Sequence, residues 1–187
     1  MTKALLIIDM QREMQRRIDA GLDCVNPDAP GRIAALARAY RDHGLPVLHV
    51  RHASDDPSAA LHPDAPGFPP MPCAVEGEGE AVFVKSTSSA FASTTLNAHL
   101  RQTGIRSLAV VGAVAGFCVN STVRAGSDLG YDMTVVRDAV IGFGLPGANL
   151  SARAIFDVTL AHLEADFARV VDCDDLTRAL PAGSKDG

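Results

Sequence analysis

Three side chains in this sequence have the types needed for joint chemistry: a carboxylate, Asp9; an amine, Lys85; and a thiol, Cys118. Each stands just past a short apolar run. Asp9 follows Ala-Leu-Leu-Ile-Ile, Lys85 follows Ala-Val-Phe-Val, and Cys118 follows Leu-Ala-Val-Val-Gly by a short turn. Runs that are apolar at consecutive positions read as strands buried on both faces of a parallel sheet. In open α/β sheets, ligands bind at the carboxyl ends of the strands, where consecutive loops converge. A carboxylate ending a buried strand is costly without a partner, and a lysine on the same edge can be that partner. Taken singly, each residue has a plainer reading: a structural aspartate, a salt-bridged lysine, a packing cysteine. The weight comes from all three falling on one predicted edge.

Cys118 sits where the turn Gly112–Phe117 gives way to a predicted helix, with Val119, Val123 and Leu129 in its apolar stripe and Gly130 as C-cap. A thiol at a helix N-terminus feels the positive end of the dipole, which favours the thiolate. Lys85 is expected to push the same way. Asp9 could accept the thiol proton and later return it to a leaving amine, while backbone N–H groups of the turn face a developing oxyanion.

The elements that must hold these residues follow from periodicity. Apolar runs occur at Ala4–Ile8, Val47–Val50, Ala81–Val84, Ser107–Val111, Met133–Val136 and Arg169–Val171. Amphipathic segments lie between them. Ile33, Leu36, Ala37 and Tyr40 follow helical spacing, as do Phe156, Leu160 and Leu163, with Asn149 or Ser151 available as N-cap. Alternating strands and helices predict an α/β fold with about six strands in one doubly wound parallel sheet. One domain is expected over 1–187, the last ~10 residues forming a disordered tail. The stretch from Ala53 to Glu80 breaks the rhythm, carrying Pro57, Pro63, Pro66, Pro69, Pro70 and Pro72. It reads equally as a functional loop or lid and as a surface excursion.

Composition narrows the partners. The 187 residues are 47% hydrophobic and 21% charged, with a net charge of −5 and no run of Lys or Arg. Nucleic acid and anionic membrane surfaces are therefore not expected partners, since both need clustered cations. No apolar run approaches the roughly 20 residues that cross a bilayer, and the N-terminus lacks signal-peptide features. A cytoplasmic location is expected. Cys24, Cys73, Cys118 and Cys173 form no C-x-x-C pair, so neither a zinc ribbon nor a disulfide framework is expected. Gly112–Gly116 lacks the trailing Gly-Lys-Ser/Thr of a phosphate loop, and no G-x-S-x-G elbow signals a serine hydrolase. No cofactor is implied.

Several blocks resemble the isochorismatase-like cysteine hydrolases: L-L-I-I-D-M-Q at 5–11, V-K-S-T-S-S-A-F at 84–91, V-V-G-A-V-A-G-F-C-V-N-S-T-V-R at 110–124, and L-G-Y-D-M-T-V-V-R-D-A at 129–139. The similarity runs from about Ala4 to about Leu176. It implies a three-layer α/β/α sandwich, Rossmann-like, with Asp9 as general base, Lys85 as catalytic lysine and Cys118 as nucleophile. It also implies a cis peptide bond at Ala113–Val114 and an oxyanion hole from the N–H groups of Val114 and Cys118. Gln11, Met14, His52, Phe91 and Phe117 are the candidate pocket residues. Family members that keep the cysteine usually cleave C–N bonds in small amides, lactams or N-carbamoyl compounds, and many form homo-oligomers such as dimers or tetramers. Alternatives within the resemblance are an isochorismatase-type vinyl ether hydrolase and a catalytically silent binding or assembly protein.

Two departures stand out. The turn reads Ala115-Gly116-Phe117 where many relatives have Thr-Asp and a variable residue, and Met14 stands where many have a pocket phenylalanine. Nicotinamidases of the family hold a metal with an Asp-x-His pair. The corresponding His49-Val50-Arg51-His52 lacks the aspartate, and His62 lies further on. His49 and His52, three apart in a predicted strand, are expected on opposite faces. No metal site is expected.

Overall fold

The computed structural model describes residues 2–180. Its sheet has seven strands: β1 (Thr2–Ile8), β2 (Cys24–Val25), β3 (Val47–His52), β4 (Val82–Lys85), β5 (Ile105–Ala113), β6 (Asp132–Phe143) and β7 (Arg169–Val171). Their order is β2-β6-β5-β1-β3-β4, with β7 also paired to β6. Six run parallel and coincide with the six apolar runs. The seventh, β2, is antiparallel to the far end of β6 and adds to the expected six.

Alternation along the central strands builds two cores. Ala4, Leu6 and Ile8 of β1 face one side with Leu48, Val50, Leu108 and Val110. Helices α3 (Leu96–Gln102), α4 (Asn120–Asp128) and α5 (Ala152–Asp166) cover that side through Leu96, Leu100, Val123, Phe156, Leu160 and Leu163. Leu5 and Ile7 face the other side, under α1 (Arg12–Asp19), α2 (Ala29–Asp42) and α6 (Cys173–Arg178). Each fully buried Leu or Ile contributes about 1.5–3 kcal/mol. These are the three layers of an α/β/α sandwich.

Local chemistry fixes several ends. Ser151, not Asn149, caps α5, its hydroxyl accepting from Ala154 N–H at 3.2 Å. Asn149 instead takes a left-handed φ of 53° after the short turn Pro146–Ala148. Leu129 is 41% exposed and so lies outside the α4 stripe that Val119 and Val123 bury. The expected C-terminal tail falls for the most part outside the described residues, and Arg178 ends α6.

The proline-rich stretch is a chain of turns sewn onto the β1–α1 connection. Arg12 N–H donates to Pro69 O at 2.8 Å, Glu13 N–H to Gly67 O at 3.0 Å, and Met71 N–H to Met10 O at 2.9 Å. A Cβ on Gly67 would stand 2.5 Å from Ala60 O, so the turns close tightly only around glycine. Most of these bonds use backbone groups, which the sequence does not advertise.

Candidate active site

Register brings three strand ends together. Ile8 pairs with Val50 on one side and Gly112 on the other, and His52 pairs with Lys85. The chain therefore leaves β1 at Asp9, β3 at His52 and β4 at Lys85, all on the carboxyl edge. Gly112 has φ +118°, and a Cβ there would stand 2.0 Å from the Ile8 carbonyl. Only glycine lets β5 approach the end of β1 this closely. Asp9 itself has φ 50°, a left-handed conformation uncommon outside glycine and tolerated best by Asn and Asp.

After β5, the peptide Ala113–Val114 is cis, and a wide π-type turn over Ala115–Val119 carries Cys118 into α4. The Val114 carbonyl accepts from the N–H groups of Phe117 (3.0 Å) and Val119 (3.3 Å) but not from Cys118 between them. Gly116 packs this turn on α5, where an added Cβ would meet Ile155 Cγ2 at 3.2 Å.

At the centre is the Lys85 ammonium, on a side chain that is 0% exposed. Its Nζ lies 2.7 Å from Asp9 Oδ2, 3.1 Å from Cys118 Sγ and 3.1 Å from His52 Nδ1. Asp9 is 3% exposed, and its second oxygen, Oδ1, is buried without a hydrogen-bond partner among the described residues. Burial pushes the Asp9 carboxyl above its ordinary pKa, while Lys85 pulls it back. Burial and the charge on Asp9 push the Cys118 thiol up to about 11, against the pull of Lys85. This corrects the expectation of a lowered thiol pKa: the sulfur lies within the turn ahead of α4, half-buried beside a carboxylate. His52 is lowered by burial and by Lys85, which favours its neutral form.

The candidate pocket residues part company. His52 joins the cluster. Phe117, next to Cys118, is 50% exposed. Met14 is buried in the core beneath α1. Phe91 stacks on Tyr131 with centroids 5.7 Å apart and packs against the other core. Gln11 is fully buried and spent on structure: Nε2 donates to His52 O (3.0 Å) and Phe68 O (2.8 Å), and Oε1 accepts from His52 N–H (2.8 Å). It fastens the end of β3 to the proline-rich turns.

Asp9, His52 and Cys118 offer ligand atoms within 4.8 Å of one another, a donor set that suits a metal ion. The Lys85 ammonium touches all three, so a cation already fills that position. His49, on the opposite face of β3, bonds Glu80 at 2.8 Å through Nε2 and takes no part.

A profile of the Isochorismatase domain matches residues 3–172. The uncharacterized isochorismatase family protein YrdC of Bacillus subtilis is 28% identical over 93% of this chain and 94% of its own. The ureidoacrylate amidohydrolase RutB of Variovorax paradoxus is 27% identical over 94% of this chain and 80% of its own. A crystal structure of an isochorismatase-family protein from Chromobacterium violaceum superimposes with a TM-score of 0.89, at 33% identity, over 96% of this chain and 93% of that one. Sequence profile, relatives and sheet topology agree, and the chain belongs to the isochorismatase family of hydrolases.

Proposed function

We propose that this chain is a cysteine-dependent hydrolase that cleaves a C–N bond in a small amide, lactam or N-carbamoyl compound. The supporting observation is the contact of Lys85 Nζ with both Asp9 Oδ2 and Cys118 Sγ, with Asp9 Oδ1 buried and without a hydrogen-bond partner among the described residues. A carboxylate of raised pKa beside a thiol of raised pKa favours a thiol that keeps its proton at rest, with Asp9 as the acceptor when sulfur attacks.

The chemistry then runs in two halves. Asp9 takes the Cys118 proton as sulfur attacks the carbonyl carbon, and the C=O electrons move onto oxygen. The Val114 and Cys118 N–H groups receive that oxyanion. Collapse breaks the C–N bond, Asp9 returns the proton to the leaving amine, and a thioester remains. Water then attacks, giving its proton to Asp9, and the acid departs as Cys118 regains its hydrogen. Lys85 balances charge throughout without forming a bond. A relative named for ureidoacrylate amidohydrolysis agrees with this bond type.

The test is an ammonia-release screen over nicotinamide, N-carbamoyl amino acids and ureides, with Cys118→Ala as control. Turnover of at least one compound is expected, falling by roughly 10³-fold or more in the variant. Conversion of isochorismate by Cys118→Ala would instead assign ether hydrolysis, which needs no thiol.

A further inference from the structure

The ammonium of Lys85 has three N–H donors and no acceptor. Two point at Asp9 and Cys118; the third meets His52 Nδ1 at 3.1 Å. Because an ammonium only donates, Nδ1 must accept, which puts the ring hydrogen on Nε2. Removing that acceptor would leave a buried N–H unsatisfied and free the ammonium to rotate away from the sulfur.

We infer that His52 is a positioning residue, its neutral ring holding the third N–H of Lys85 so that the other two stay aimed at Asp9 and Cys118. This rests on the proposed cysteine chemistry and adds to it a fourth member that never touches the reacting atoms. The groups facing the ring are Lys85 Nζ from β4, the Asp9 carboxylate beyond β1, Cys118 Sγ from the π-type turn and the Thr87 carbonyl from the loop after β4. Protonation of Nδ1 would replace the acceptor with a second positive charge against Lys85. The neutral ring is the working form, favoured by burial and by Lys85, so its loss belongs to pH values below the ordinary 6.5.

The backbone of His52 is held independently, its N–H and carbonyl both bonded to Gln11, so side-chain variants keep that anchor. Asparagine can place a carbonyl oxygen near the position of Nδ1 and does not titrate; leucine offers no acceptor. Two readouts separate this inference from the reading beneath it. One is kcat and KM on a substrate found in the amide screen. The other is the rate at which iodoacetamide alkylates Cys118 as a function of pH, which needs no substrate.

His52→Leu is expected to lose roughly 10- to 100-fold in both kcat and alkylation rate with KM little changed. His52→Asn is expected to stay within about threefold at pH 7.5 and to lose one proton from the acid limb of both profiles. If no amide is turned over yet alkylation follows this pattern, the proposed reaction fails and the positioning role stands. A folded His52→Leu that matches the wild type, or a His52→Asn with an unchanged acid limb, overturns the role of His52.

Discussion

Two carboxylates lie near β3, Asp9 at the carboxyl edge of the sheet and Glu80 just ahead of β4, and they are treated in opposite ways. Glu80 accepts from both Arg41 Nε (2.7 Å) and Arg41 Nη2 (2.8 Å), from Gly77 N–H (2.7 Å) and from His49 Nε2 (2.8 Å). Its pKa is lowered to about 2, chiefly by the Arg41 guanidinium. Asp9 has the Lys85 ammonium on one oxygen and, among the described residues, no hydrogen-bond partner on the other, and burial pushes its pKa up. A carboxylate given every hydrogen bond it can use is a clamp. One that is buried and left half-paired binds a proton more readily than a free carboxylate does.

The sharpest way to break this contrast is to remove the charges at each place. Asp9→Asn is expected to cost roughly 10²–10⁴-fold in kcat, measured on any substrate from the amide screen. Replacing both members of its pair, Asp9→Leu with Lys85→Met, should abolish turnover yet leave the unfolding free energy unchanged or raised by up to about 4 kcal/mol, because two desolvated charges disappear together. A strong loss of stability in the double variant would mean that the pair is structural after all.

Glu80→Ala is expected to do the reverse. It should lower stability by about 1–3 kcal/mol in urea unfolding, since His49 and Gly77 lose their acceptor, while kcat stays close to that of the parent. The smallest effect is in acid. The folded pKa of Glu80 lies below its ordinary 4.5, so its stabilisation is present above that value and lost as pH falls toward about 2. Asp9, shifted upward, takes up its proton with the opposite sign and favours the folded state as acid is added. The unfolding free energy from urea titrations should therefore fall by about 1–2 kcal/mol between pH 5 and pH 2.5 in the parent and by less in Glu80→Gln.

The sequence made one of these clusters legible and hid the other. Asp9 and Lys85 each close a run of consecutive apolar residues and Cys118 follows one by a short turn, a placement that carries over directly to a shared sheet edge. Glu80 sits among glycines after the proline-rich turns, where no period announces its partners, and Arg41 and His49 come from α2 and β3. The six parallel strands were visible because burial on both faces writes an unbroken apolar run. β2 was not, since two residues paired at an edge leave no pattern. Met14 shows what sequence leaves open at the site: an apolar side chain near a motif packs into a core as readily as it lines a pocket. Gln11 reads as a candidate pocket residue, but its partners are backbone atoms of residues 52 and 68, which no side-chain pattern reveals.

Lys85 occupies the place where a metalloenzyme would keep its ion, tethered by its own carbon stem. Such a charge cannot be stripped by a chelator, exchanged for a competing metal or lost when trace elements run short. The positive charge at this cluster is in place as soon as the chain folds, supplied by translation rather than by uptake.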